Sequence, residues 1–433
     1  MFNQPVSFIR ARYILPVMIL AMLFPTAGKA QLVVDCTNAT PGAYSTINAA
    51  LAASGPGTAI FVVAGPCNEY LNLAGVTDLF IGTYAGNPNV AINGSINVAE
   101  SHGVYFHGLN VTSATGDGLN VSQSQALIID TCNFTGNAGN GMTLGNASEA
   151  LVIAPASFDG NSGYGIDLFG NSYVQFNSWN GQSLEISNNH NAGLWASQAS
   201  FTTFGRTTIS NNASAGVQLF GGAKTQFGSL SGPNVISGNQ SGGISVQETS
   251  EVSFFNFGSQ TYIQNNGPFG VSAGLGSQVT LYDGVEISGH HGPALDLYAS
   301  SQGNMYGANN LHNNGTVGDA RSAGIRVDGN SELFLRGGTV AQNAGPGILA
   351  LVNSSVDLTG VSFSSNSGGL VVCDSSAVMV SDLSAGTTLA PGVGCRTPHA
   401  LGNRAFTKQL PAVPDFTALK ALQAKVMARA TKH

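Results

Sequence analysis

A glycine followed by an apolar residue recurs at intervals of 22 to 30 residues along most of the chain, and this period constrains the fold more than any other feature. The pairs are Gly118-Leu119, Gly141-Met142, Gly165-Ile166, Gly193-Leu194, Gly216-Val217, Gly243-Ile244, Gly270-Val271, Gly324-Ile325, Gly347-Ile348 and Gly369-Leu370, with Ala294-Leu295 in the gap. Inside each unit a small residue leads into alternating apolar positions, as in Ser124 to Leu127 and Ile129, or Ser277 to Val279 and Leu281. A third short run ends at an asparagine four residues before the next glycine: Asn137, Asn161, Asn189, Asn212, Asn239, Asn266 and Asn343, with His290 once in that place. Each unit therefore predicts three short strands with period-two alternation, separated by tight turns. One unit cannot bury its apolar face alone. Units stacked about 4.8 Å apart can, as three parallel sheets around a narrow core.

That arrangement explains a composition in which only 9% of residues are charged and 57 are glycine. Stacking in register sets like side chains beside one another, where like charges repel and asparagine amides hydrogen-bond in a ladder. An asparagine at each corner is expected to supply the left-handed backbone of the bend itself. The hydrophobic share of 43% excludes a disordered chain, and a net charge of −7 argues against a nucleic-acid partner.

Solenoid ends expose unpaired strand edges and need covers. At the front, Tyr44 to Leu51 reads as a short amphipathic helix, followed by a strand from Ala59 to Val63. At the back, Pro391 to Pro414 breaks the pattern, and Asp415 can cap a helix through Met427 with Phe416, Leu419, Leu422 and Val426 on one face. Residues 101–395 carry 17 acidic and 5 basic side chains, whereas 396–433 carry 1 and 7, so the final segment reads as a basic cover on an acidic rod or as a docking tail.

Residues 1–30 read as a secretory signal peptide, with Arg10 and Arg12 before the apolar run Tyr13 to Phe24 and a small-residue site at Gly28-Lys29-Ala30. No later run is long enough to span a membrane, so the expectation is a monomer, secreted, periplasmic or at the cell surface. Five cysteines fit an oxidising compartment, with Cys36–Cys67 and Cys373–Cys395 as the expected bridges and Cys132 a buried thiol. The expected organisation is a signal peptide at 1–30, an N-terminal cap and first coils at 31–100, a β-helix at 101–395, and a linker with an amphipathic helix at 396–433. The fold class is all-β, a right-handed single-stranded parallel β-helix of about 11 coils with a helix at each end.

The stretches Tyr44-Ser45-Thr46-Ile47, Gly57-Thr58-Ala59-Ile60, Val63-Ala64-Gly65-Pro66 and Asn68-Glu69-Tyr70, together with Gly116-Asp117-Gly118-Leu119-Asn120-Val121, resemble the pectin-lyase-like right-handed parallel β-helix superfamily. The resemblance runs over roughly residues 35–395. It implies the fold and leaves activity open, since such proteins include polyuronate lyases, galacturonan hydrolases, alginate epimerases and secreted adhesive proteins without catalysis.

Alternation sends every second residue of the first strand outward. One outward row is expected to read Asn120, Thr143, Asp167, Trp195, Gln218, Ser245, Ser272, Asp296, Arg326, Leu349, Val371. The next reads Ser122, Gly145, Phe169, Ser197, Phe220, Gln247, Gly274, Tyr298, Asp328, Leu351, Cys373. Asp167, Phe169, Trp195, Gln218, Phe220 and Tyr298 are the candidate substrate-binding residues, because flat rings beside hydrogen-bonding groups suit a sugar. The same rings also suit simple cover for the sheet. Asp296, Arg326 and Asp328 are the candidate catalytic residues. The two carboxyls should lie about 8 Å apart, within the window for inverting glycoside hydrolysis. Arg326 could instead abstract a proton, as the resemblance implies for lyases, or the three could form a surface ion network of little worth. The insertion from Asn314 to Ala323, with Asp319 and Arg321, breaks the period here.

Other chemistry is weakly signalled. Asp117 matches the first acid of the galacturonan hydrolases, but Asn140 stands where the resemblance asks for an acidic pair. Gly289-His290-His291-Gly292 is similar to that group's Gly-His-Gly, yet His290 occupies the asparagine position. No spacing suggests zinc, no nucleotide loop occurs, and no cofactor is called for, though calcium is compatible. The reading is an exported β-helix that binds extracellular polysaccharide, with polysaccharide turnover and a spacer or adhesin role with a protein partner as alternatives.

Overall fold

The computed structural model describes residues 30–84, 89–178, 181–229, 232–256, 258–319, 322–381 and 395. The expected signal peptide apart from Ala30, the expected linker and helix at 396–433, and Arg321 lie outside the described residues.

Three short strands per coil wind into three parallel sheets, and each strand pairs with the equivalent strand of the coil before and after. Among the described residues the first-strand sheet has thirteen members, from Leu71–Ala74 to Val371–Cys373. The second-strand sheet has fifteen, from Gln31–Asp35 to Val378–Ser381, and the third-strand sheet has twelve, from Val90–Asn93 to Ser362–Ser364. Eleven first strands correspond to the repeats read from the sequence. The other two, Leu71–Ala74 and Ile96–Ala99, follow Tyr70 and Ser95 instead of glycine, so the glycine period undercounts the coils.

One helix, Ile47–Ala52, lies at the front among the described residues. Thr46 caps it by accepting from the Ala49 N–H at 3.0 Å, and the Glu69 carboxylate takes the N–H groups of Ile47 and Asn48 at 2.7 and 2.9 Å. Free N–H groups and the helix dipole both favour a carboxylate there. Ile47 and Ala50 are buried, and the Cys36–Cys67 disulfide ties the first strand to the coil behind it. At the far end Cys373 is bonded to Cys395, while Cys132 is a free buried thiol.

The interior is a column of apolar side chains. Phe176, Phe201, Phe227 and Phe254, on four successive coils of the second-strand sheet, are all at most 1% exposed, with centroids 6.0, 5.6 and 5.2 Å apart along the series. Two polar ladders flank this column. At the corner between third and first strands, the amide of Asn161 donates to Asn189 at 2.9 Å, Asn189 to Asn212 at 2.9 Å, Asn212 to Asn239 at 2.9 Å and Asn239 to Asn266 at 2.8 Å. The ladder resumes as Asn314 to Asn343 at 3.1 Å and Asn343 to Asn366 at 2.9 Å. At the corner between first and second strands, buried serines do similar work. The N–H of Ser101 reaches Ser124 Oγ at 3.1 Å, and that of Ser124 reaches Ser148 Oγ at 3.1 Å. A buried polar group is tolerated when it is hydrogen-bonded, and these ladders meet that condition at most coils, although among the described residues the buried Ser277 hydroxyl of the serine corner has no partner.

The bends differ from the expectation in one respect. The ladder asparagines do not adopt the left-handed backbone; the residue immediately before each of them does. Asn188, Asn211, Asn265, Asn313, Gln342 and Ser365, and Gly136, Gly160, Gly238 and Gly289, all have φ between 53° and 75°. Glu100, Gln123, Ala147, Asn171, Gln198 and Thr249 stand in the same relation to the other corner, with φ from 50° to 62°. The left-handed residue turns the chain and the next side chain is thereby aimed inward.

The register of the outward rows holds along the solenoid until its last coil. There Arg326 pairs with Leu349, and Leu349 pairs with Val372 rather than Val371. Cys373 pairs with Ala350 and points inward at 6% exposure. The cause is one extra residue at Gly368-Gly369, which moves the strand start from Leu370 to Val371.

Candidate functional site

The first-strand face carries two separate groups of polar side chains. The first is built on three successive coils. Asp117, Asn140 and Tyr164 each stand directly before a coil's glycine, and Thr143 and Asp167 are paired outward residues of adjacent strands. The Asn140 N–H donates to Asp117 Oδ1 at 2.7 Å, and the Thr143 hydroxyl donates to Asp117 Oδ2 at 2.7 Å. The Asn140 amide in turn donates to Thr143 Oγ at 3.0 Å and, at 3.4 Å, to Asp167 Oδ2, while its oxygen accepts from the Tyr164 N–H at 2.8 Å. Both oxygens of Asp117 are thus satisfied. Asp167 Oδ1 is buried and has no hydrogen-bond partner.

Burial, and then the Asp117 charge, pushes the Asp167 carboxyl up to about 6, against the pull of the Asn140 hydrogen bond. Burial and the Asp167 charge also push the Tyr164 phenol upward. Among the described residues neither Asp117 nor Asp167 has an ion-pair partner.

Aromatic rings continue this group along the rod. Trp195 is the strand neighbour of Asp167, its indole stacks on Tyr164 at 5.9 Å, and Phe220 lies 6.2 Å beyond it. Gln218 pairs with Trp195 on the following strand and donates to Ser214 Oγ at 3.1 Å. Phe169 shares the face, but its ring lies over Gly145, where a Cβ would collide with it. Tyr298 does the same over Gly274 and donates its hydroxyl to Gln247 Oε1 at 3.0 Å. Rings that cover a strand glycine have a packing role of their own.

The second group is five coils away from Asp167. Arg326 Nε lies 3.0 Å from Asp296 Oδ1, and its terminal nitrogen lies 3.9 Å from Asp328 Oδ2. The side chains are 14% to 29% exposed, with the guanidinium placed between the carboxylates. The structure therefore assembles Asp296, Arg326 and Asp328 as an ion triad, with Tyr298 on the same strand register. It separates this triad from Asp167, Phe169, Trp195, Gln218 and Phe220. Tyr164, Asn140 and Thr143 are not among the candidate site residues of the sequence. The signal for Asn140 and Tyr164 lies in the column before the repeated glycines, which reads Asp117, Asn140, Tyr164 and then turns small or apolar, and that for Thr143 in the outward row it shares with Asp167.

His290 occupies the asparagine ladder. Its Nδ1 accepts from the Asn266 N–H at 3.2 Å and its Nε2 lies 3.0 Å from the Ile263 carbonyl, reproducing the backbone contacts of a ladder amide without its amide-to-amide bonds. Burial brings this imidazole down to about 4, so it is neutral at ordinary pH. Among the described residues, the one grouping of three side chains of metal-ligand type is Cys36, Cys67 and Glu69, and both its sulfurs are taken up by the disulfide.

A solenoid of parallel strands with an outward-facing polar and aromatic row defines a β-helix protein. Residues 80–180 and 257–384 match the family described as the right-handed β-helix region. These segments make up more than half of the chain, which belongs to that family. Among solved structures, the A-module of Azotobacter vinelandii mannuronan C-5 epimerase AlgE6 is similar at 15% identity and TM-score 0.47, over 77% of this chain and 93% of that one. The A-module of Azotobacter vinelandii mannuronan C-5 epimerase AlgE4 is similar at 14% identity and TM-score 0.48, over 76% and 91%. Pectate lyase Pel9A is similar at 13% identity and TM-score 0.36, over 79% and 78%. Likeness at this level concerns the winding of the chain. No curated protein matches the sequence. Among the described residues, no helix is long and apolar enough to cross a membrane.

Proposed function

We propose that the protein is an exported β-helix that binds extracellular polysaccharide on its first-strand face, centred on Trp195. The observation that carries this reading is the run of rings Tyr164, Trp195 and Phe220 beside Asp167 and Gln218. Stacked rings offer an apolar face to a sugar, and the flanking carboxyl and amide offer hydrogen bonds to its hydroxyls. The two disulfides support a location outside the cytoplasm. Trp195→Ala is expected to weaken binding to whichever oligosaccharide the intact protein retains by about tenfold, in line with an aromatic anchor at a binding surface. A protein that retains no glycan, or a variant that binds as well as the parent, defeats the reading and favours a spacer with a protein partner.

A catalytic reading attaches to the same place, because a carboxyl titrating at about 6 beside Asp117 is suited to proton transfer. Assays for reducing ends and for unsaturated products separate turnover from binding. Loss of product with Asp167→Ala would favour catalysis, and binding without product would favour the first reading.

A further inference from the structure

Asp117 and Asp167 differ in what surrounds them. Asp117 has both oxygens hydrogen-bonded to Asn140 and Thr143. Asp167 shares the same Asn140 amide only at 3.4 Å and keeps its other oxygen buried without a partner. Asn140 and Thr143 hold the two carboxyls close, and among the described residues no cation pairs with either. The titratable neighbours of Asp167 are Asp117, two coils before it, and Tyr164 on its own coil; Asn140 and Thr143 stand on the coil between the two acids and Trp195 on the coil after Asp167. This acidic group adjoins the ring surface, so a sugar lying on Tyr164 and Trp195 comes near the Asp167 carboxyl, with Asp117 two coils beyond it.

We infer that the Asp117–Asp167 pair is a charge filter on this face, admitting neutral sugar residues at neutral pH and excluding uronate residues until the pair takes up a proton. The inference rests on the proposed glycan-binding role and adds the class of sugar admitted. Two like charges at the spacing of a bound sugar and its supporting strand repel strongly enough to change affinity by about tenfold near a protein surface. Ionised Asp167 would impose that penalty on a uronate carboxylate. Protonated Asp167 would remove it and could donate a hydrogen bond instead. The upward displacement of the Asp167 carboxyl to about 6 places the change just below neutrality.

The test is calorimetric titration of the full chain with cellohexaose, mannohexaose, oligogalacturonate and oligomannuronate, in EDTA so that no divalent cation bridges the charges. Each is titrated at neutral pH and at about pH 5. The intact protein should bind an oligouronate about tenfold more tightly at the lower pH, with a neutral hexaose changing less than about twofold. Asp167→Asn should bind the oligouronate at the low-pH level throughout. A melting curve that matches the parent by far-UV circular dichroism shows that it is folded; should it not fold, Asp167→Ser repeats the measurement. Equal oligouronate affinity at both pH values, or an unaltered pH slope in the variant, overturns the filter. If a neutral hexaose still binds through Trp195 in that case, the glycan-binding reading stands alone. If no probe binds at either pH, both fall.

Discussion

Replacing His290 by asparagine tests the ladder directly. The imidazole is bound in its neutral form, with Nδ1 accepting and the Nε2 proton donated to a carbonyl, so protonation destroys one of the two contacts. Burial lowers its titration from 6.5 to about 4. An unfolded histidine takes its proton at the higher value, so the associated stability is fully present above about pH 6.5 and disappears as pH falls toward 4. That lowering corresponds to about 3 kcal/mol in all, of which about 2 kcal/mol is gone by pH 5. His290→Asn restores the ladder amide and has nothing to protonate. Parent and variant should therefore agree within about 1 kcal/mol at neutral pH, and the variant should be ahead by about 2 kcal/mol at pH 5. For a solenoid of roughly 350 residues that difference is about 3 °C in melting temperature. Melts followed by far-UV circular dichroism over a pH series measure it. Because Asp167 and the other carboxylates titrate equally in both proteins, the difference between the two curves isolates residue 290. Parallel curves from neutrality to pH 4 would refute the assignment of a neutral imidazole to the ladder.

Two further expectations follow from the packing and from the ion triad. Phe227→Ala empties the middle of the buried phenylalanine column and should cost about 3–5 kcal/mol, read as a lower urea midpoint; a loss below about 1 kcal/mol would mean that the coils close over the gap. Arg326→Gln removes the cation from beside both Asp296 and Asp328 and should cost about 1–2 kcal/mol while glycan affinity stays unchanged. Loss of binding or turnover without loss of stability would make that triad functional instead.

The winding was legible because stacking repeats one side chain at one place, and Asn161, Asn189, Asn212 and Asn239 report it, each four residues before a coil's glycine. Asn314 escaped that pattern because the insertion up to Ala323 separates it from its glycine, although its amide continues the ladder to Asn343. The bend residues were hidden for a different reason. Glu100, Gln123 and Thr249 are not residue types that favour a left-handed backbone, so the fold imposes that conformation on them. Alternation alone brought Asp167, Trp195 and Phe220 to one face. It could not supply the Asp117–Asn140–Thr143–Asp167 network, which joins corner positions to strand positions on neighbouring coils. The last-coil register failed on a single inserted residue, since in a strand a shift of one exchanges inside for outside.

The two disulfides sit at opposite limits of the rod, one behind the first strand and one on the last coil. A stack whose units touch only their neighbours ordinarily frays from its tips, where each terminal unit has a single companion. Here both tips are riveted covalently, so acid-driven loosening should begin in the interior, at the coil where an imidazole interrupts the run of amides, and spread outward in both directions.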